Sequence, residues 1–440
     1  MQGITLTFAA IALLFILFLE PAKAVAAYIT AIAFYPSYLT VQIGTVYITV
    51  GRIVIFVLLL KCLADTKLRN RFKWCLLDIW VLAYSFINAF VMFIGTPSMA
   101  VIQNRSGNFM DTYIVYIAVR LCVTDRAALV RLIKCISVIL IPLALLGVFE
   151  TCTDWHPYAM LSKYNPWRPD VNLVKEARLG FGRAVASFSH SIMFGVSLAL
   201  FLPLVYLLRY EPKWQTWAYW SSGVLFLGIL SSMSSGPWAM LILLIFCLAM
   251  ERYKKLVKPL ILLALILCFL IGIVSNRPFY HVIVTYANPL GGSSWHRAKL
   301  IDLAIEHFGE WWLLGYQGQD PGWGGSLGMS WTDVTNQFIL VAVESGLIGL
   351  LTFCVFLIIL FRAIAHIYNK LRDPVLKTWY WTFGSIIFAT IVTWFSVSFF
   401  GQAMSLFYCV LGMIGSSIGF ITNEGGNFQR IEIIPQKFKI

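Results

Sequence analysis

Long apolar runs with almost no charge recur along the whole chain, and no other feature limits its folding as much. Ile4–Leu19, Ile53–Leu60 and Leu256–Val274 are examples. A helix needs about 20 apolar residues to cross the hydrocarbon core of a bilayer. Inside that core every backbone N–H and C=O must be satisfied by the protein itself, which leaves helices and closed barrels as the only spanning structures. The alternating, turn-rich pattern of a membrane barrel is absent. The reading is therefore all-α, a polytopic membrane helical bundle. At that span length, 440 residues leave room for about 12–13 transmembrane helices. Composition agrees: 60% of residues are hydrophobic, 12% are charged and the mean hydropathy is +0.80. An ordinary soluble domain carries about twice that charge.

The basic residues orient the bundle. If spans alternate in direction, 23 of the 33 Lys and Arg fall on one side, in short segments between runs. The positive-inside rule makes that side cytoplasmic. The net charge of +13 is then largely a topology signal. No aromatic-interleaved basic stretch points to nucleic acid. Ala22-Lys23-Ala24 looks like a signal-peptidase site, but no positive segment precedes it and a second apolar stretch follows at once, so an uncleaved first span is expected. Of the nine cysteines only Cys152 falls in an outer loop, which argues against a disulfide framework. No His/Cys spacing suggests a metal.

Two outer loops are long, 150–186 and 276–336. They divide the chain into N-terminal transmembrane helices (1–149), a core carrying both loops (150–355), and C-terminal helices with a cytoplasmic tail (356–440). The loops hold Lys163, Arg168, Lys175, Arg178, Arg183, Arg277, Arg297 and Lys299, although positive charge is normally depleted outside. Such a concentration asks for an anion. Within the second loop, Leu300, Leu303, Ala304 and Phe308 share one helical face and Trp311 and Trp312 follow. This pattern predicts an amphipathic helix lying along the membrane interface.

Several positions carry two readings each. Arg183 either snorkels to headgroup phosphates or offers a planar fork of donors to a substrate phosphate. Arg297 opens the amphipathic helix, where a cation opposes the helix dipole. His190 falls inside an apolar run near its mouth and is either packing or chemistry. Glu344 shares a face with Gln337 and is expected as a buried, hydrogen-bonded strut or as a base. Gly346 and Gly349 are expected to let helices pack closely. The serines of "SSMSSGPWAM" (231–240) form a tight turn, and His281 and His296 are expected as exposed loop residues.

The ordered motifs then point to a family. "GRAVASFSHSIMFG" supplies an arginine just before a span, and "SSMSSGPWAM" a serine-rich segment. "RAKLIDLAIEHFGEWWLLGYQGQD" gives an arginine helix followed by a glycine-tyrosine loop, and "TNQFILVAVESGLIG" is the most specific of the four. In this order, over roughly 175–355, they resemble the O-antigen ligase/polymerase (Wzy/WaaL-like) superfamily of bacterial polytopic membrane proteins. The resemblance implies glycosyl transfer without metal or other cofactor, outside the cytoplasm, at the bacterial inner membrane. The donor would be a glycan on undecaprenyl pyrophosphate, and the acceptor a glycan or lipid-linked repeat. Arg183 and Arg297 would grip the pyrophosphate, with Arg178, His190, Thr335, Asn336 and Tyr316 lining the substrate. Thr335 stands where ligases carry a histidine, which leaves Asp333 and Glu344 as the nearest carboxylates, Asp333 being the more accessible base. Partners would be that donor, that acceptor and membrane lipids, with no nucleic acid. A lipid-linked oligosaccharide flippase or transporter is the alternative.

Overall fold

The structure, a computed structural model, describes residues 1–167, 173–174, 176–276, 278–286 and 294–423. Arg168, Lys175, Arg277 and the tail after Asn423 lie outside the described residues. The chain is a helical bundle. Among the described residues its one sheet is the hairpin Thr40–Ile43 with Val46–Thr49, paired antiparallel with Val41 opposite Ile48.

Seven described helices are long and apolar enough to cross a membrane: Leu76–Gly95, Arg126–Thr153, Ser191–Tyr210, Lys254–Val274, Gln337–Lys370, Pro374–Trp394 and Gln402–Phe420. Gln2–Phe18, Pro21–Phe34 and Ser235–Met250 are apolar but shorter. This is fewer than the 12–13 expected, because several apolar runs are interrupted locally. Glu20 and Pro21 end one helix and start the next, since proline fits a first helical turn but not an interior one. Polar residues and a π-turn at Met110–Ile114 break up the stretch from Met99 to Cys122.

Burial ranks the helices. Ser191–Tyr210 and Gln402–Phe420 are each 89% buried over their most apolar window, whereas Lys254–Val274 has none of its window buried. The first two form the centre and the last is a peripheral helix. Charges inside the bundle are paired. Arg120 donates to Asp78 at 2.8 Å, and Tyr116 Oη donates to the same carboxylate at 2.5 Å. Arg52 meets Asp111, which the π-turn presents, at 2.7 Å. Lys61 Nζ donates to the carbonyls of Ile16, Leu17 and Leu19 and so satisfies the end of the first helix.

The two long loops are more helical than their sequence suggests. Arg126–Thr153 continues past the expected loop start, so Glu150 is helical and fully buried. Ser294–Glu306 is helical, as its periodicity predicts, and Leu300, Leu303 and Ala304 pack with Trp311, Trp323 and Val343 in a small second core. Trp311 is buried and donates its Nε1–H to Ala304 at 2.7 Å, while Trp312 is exposed.

Gln337–Lys370 is broken rather than continuous. Ser345 (φ −137°) and Gly346 (φ 67°, ψ −165°) leave the helical region, and the segment 312–316 docks into the gap. Tyr316 N–H donates to the Val343 carbonyl at 2.6 Å, and Leu347 N–H donates to the Trp312 carbonyl at 2.8 Å. The role expected for Gly346, close packing of whole helices, is therefore corrected: it supplies the left-handed turn of the break. A Cβ there would lie 2.1 Å from the Leu313 carbonyl oxygen.

This makes Gly346 intolerant of any side chain. Gly346→Ala should cost about 2 kcal/mol or more, since left-handed strain for an L-residue is itself roughly 1–2 kcal/mol and the contact with Leu313 adds to it. Gly223→Ala, where a Cβ meets nothing within 4 Å, should be neutral or stabilising. Thermal unfolding of the two variants in detergent measures the contrast, and equal melting would contradict the strained break.

Candidate active site

Arg183 sits in the chain that leads into the helix Ser191–Leu207, and its backbone is held on three sides. Glu150 accepts N–H bonds from Val185 and Ala186, both at 2.8 Å. Ala184 N–H donates to the Ser231 carbonyl at 3.0 Å, and His156 Nε2 lies 3.2 Å from the Arg183 carbonyl. Glu150 was not among the residues expected to act here. A lone carboxylate near the end of an apolar run was the available signal.

The Arg183 side chain is 8% exposed. One terminal nitrogen donates to Ser191 Oγ at 2.8 Å and to Ser234 Oγ at 2.9 Å. Ser234 thus does more than form a turn. The Nε atom of Arg183 is buried without a hydrogen-bond partner among the described residues. Burial, and then the charge of Arg178, lower the Arg183 pKa to about 10, so the group stays a cation at neutral pH.

Arg178 lies in the turn whose backbone pairs it with Phe181, and it is half-buried. Its charge acts on Arg297 as well, whose basicity is lowered first by burial and then by Arg178. Arg297 Nε is likewise buried and unpartnered among the described residues. Three arginines from two loops therefore converge. Among the described residues none of the three forms an ion pair with a carboxylate. Arg183 is buried and held by hydroxyls rather than a carboxylate, and Arg178 and Arg297 are partly buried beside it, so the desolvation cost of these charges is not offset by an opposite charge among the described residues.

Next to Arg297 stands His296, expected as an exposed loop residue but in fact 7% exposed. Its Nε2 is buried without a partner among the described residues. Burial lowers its pKa, Asp333 pulls it back up, and Arg297 lowers it again. Asp333 itself is exposed, as expected, and within electrostatic reach of the ring. Thr335 is half-buried, and its hydroxyl also lacks a partner among the described residues. The structure thus brings Arg178, Arg183, Arg297, His296 and Asp333 into one electrostatic neighbourhood. The "HR" pair opening the amphipathic helix was the one sequence signal for His296.

Three residues expected at the substrate have hydrogen-bond partners within the protein. Asn336 is 4% exposed. Its Oδ1 accepts from Phe338 and Ile339 N–H as the helix N-cap, and its Nδ2 donates to the Phe395 carbonyl at 3.1 Å. Both ends of the amide serve the protein. His190 Nδ1 accepts the Ile192 N–H at 3.1 Å, so it too is an N-cap, with its ring edge-on to Phe400. Tyr316 Oη donates to Glu310 at 2.5 Å, and His307 binds the other oxygen of that carboxylate at 2.8 Å. Glu310 is pulled below the usual carboxylate range by these bonds, and Tyr316 is pushed up to about 12. Glu344 does act as a strut: it accepts from Asn88 Nδ2 at 3.2 Å and faces Arg105 at 3.9 Å. Gln337 accepts the Phe399 N–H at 2.9 Å.

Asn336→Ala should therefore behave as a cap deletion, losing about 1–2 kcal/mol of stability, with turnover per folded molecule unchanged. Thermal melting alongside an activity assay separates the two effects. A drop in turnover without a drop in melting temperature would return Asn336 to the substrate.

No protein-family model and no curated protein matches this chain.

Proposed function

We propose that the protein transfers a glycan from an undecaprenyl-pyrophosphate-linked donor to a sugar hydroxyl at the outer face of the bacterial inner membrane, extending or attaching an exopolysaccharide or O-antigen-like chain. The observation that carries this reading is the cluster of Arg178, Arg183 and Arg297, gathered by two loops without a described carboxylate partner. Guanidinium forks suit the oxygens of a pyrophosphate. Both loops follow the side opposite the basic segments, which the positive-inside rule places outside.

The chemistry balances with the groups present. The bond from the anomeric carbon to the pyrophosphate oxygen breaks, and its electron pair leaves with the lipid pyrophosphate beside the arginines. A bond forms between that carbon and the acceptor oxygen, whose proton passes to a base. His296 fits that task better than Asp333 alone. Its imidazole is kept neutral by burial, its Nε2 is uncommitted among the described residues, and Asp333 stabilises the imidazolium once formed. The histidine that ligases carry where this chain has Thr335 would then be replaced by His296, from the helix Ser294–Glu306. The paired charges inside the bundle, Arg120 with Asp78 and Arg52 with Asp111, favour an enzyme over a transporter, whose pathway would need ionisable groups free to meet a solute.

Polymer formation from purified lipid-linked repeat tests the clamp. Arg183→Ala and Arg297→Ala should each lower turnover by at least ~10²-fold, the scale of losing one donor to a developing oxyanion. Arg297→Lys should lose nearly as much, because it keeps the charge but not the fork. Wild-type turnover in both alanine variants at normal abundance would overturn the reading.

The base makes a second, signed expectation. The rate should fall on the acid side as His296 protonates, with the limb below the ordinary histidine value of about 6.5. Asp333 favours the imidazolium, so Asp333→Asn should move that limb further toward acid. His296→Gln should abolish it with a rate loss of roughly 10²–10⁴-fold. A pH–rate profile of each variant decides the matter, and an unmoved limb in Asp333→Asn would break the assignment.

A further inference from the structure

Away from the arginine cluster, an open groove of about 690 Å³ runs between the helices Gln2–Phe18, Pro21–Phe34 and Arg126–Thr153. Phe8, Ile11 and Phe15 form one wall and Val138 the other. From Phe8 to Leu19 the groove extends ~16 Å at the rise of a helix, which is close to half of a hydrocarbon core about 30 Å thick. It is one leaflet deep. Its far end is basic: Lys23, Arg131 and Lys134 all line it.

The charges there do not cancel. Among the described residues Glu20 is the one carboxylate paired with them, 3.5 Å from both Lys23 Nζ and Arg131 Nε. Lys134 Nζ instead stands 5.0 Å from the centre of the Trp214 ring, with no ion pair among the described residues. Lys23 and Arg131 are about half exposed, so the basic end opens outward. Three cations against one carboxylate at the mouth of an apolar, leaflet-deep groove call for a ligand with acyl chains and a negative headgroup. Basic pockets between transmembrane helices recognise such headgroups.

We propose that this groove is a specific site for an anionic phospholipid, with the headgroup phosphate on Arg131 and Lys134 and an acyl chain along Phe8, Ile11 and Phe15. The site is distinct from the candidate active site. Arg131 and Glu150 lie on one helix, ~28 Å apart at its rise per residue, and Glu150 is the residue that holds the Arg183 loop. The lipid bound here therefore belongs to the leaflet opposite the arginine cluster.

The full-length protein, reconstituted with equal amounts of phosphatidylglycerol and phosphatidylcholine and released intact into a mass spectrometer, tests this. The wild type should retain phosphatidylglycerol at least tenfold over phosphatidylcholine, and Arg131→Gln with Lys134→Gln should erase the preference. Lys254→Gln with Arg372→Gln removes the same charge elsewhere and should leave it intact. If the groove pair fails to fold, Ile11→Trp blocks the apolar wall with every cation in place and should also lose the lipid. Equal retention in the wild type, an unchanged preference in the groove variants, or the same loss in the control pair overturns the proposal. None of these readouts uses glycan transfer, so failure of the enzymatic reading leaves this test unaffected.

Discussion

A backbone group inside a bilayer has no water to turn to, and the break at Ser345–Gly346 is where this chain meets that constraint most sharply. Opening a helix frees N–H and C=O groups that would each cost several kcal/mol if left alone in hydrocarbon. Here the loop segment 312–316 supplies the missing partners, so the loop and the helix complete one another's hydrogen bonding. The small core of Leu300, Leu303, Trp311 and Trp323 then rests on the first turns of that helix. Through that core the helix carrying Arg297 and His296 is fixed over the bundle. If the break were straightened, the loop would lose its seat and the arginines their alignment.

The first loop is held by a different device with the same logic. Glu150, fully buried, is met not by a cation but by two backbone N–H groups on one of its oxygens, and it fixes the chain just after Arg183. Leaving that carboxylate without an arginine is what leaves Arg183 without a carboxylate. Serine hydroxyls hold the guanidinium in place yet cancel none of its charge. An arriving anion meets a positioned cation and has no ion pair to break.

Hydropathy made the bundle legible, because apolar length is a property of consecutive residues. Arg183, Arg297 and Asp333 were also visible, since charge in an outer loop stands out against its background. Two positions carry a structural role that sequence does not distinguish from binding. Asn336 and His190 are polar side chains at the mouth of a span, and a helix cap and a substrate ligand look alike there until the partner is known. Those partners are Phe395, far along the chain, for Asn336, and a local N–H for His190. His296 was misread for the opposite reason: its burial comes from packing of a loop helix that sequence periodicity laid along the membrane. Gly346 was read as a packing residue because sequence shows that a side chain is missing but not that φ is positive.

The short helical piece before the break has a further consequence. It is anchored at its start by Asn336 and Gln337, bonded to the 395–399 turn, and at its end by the docked loop. Asp333 and Thr335 lie within three residues of that doubly tethered start, so little chain is left over which they could wander. An exposed carboxylate on a free loop gives up much of its influence to positional entropy. This one is solvent-exposed, yet the chain that carries it is tied one residue later, where Ser398 Oγ–H donates to the Val334 carbonyl at 2.9 Å, so its charge is kept within reach of the His296 ring.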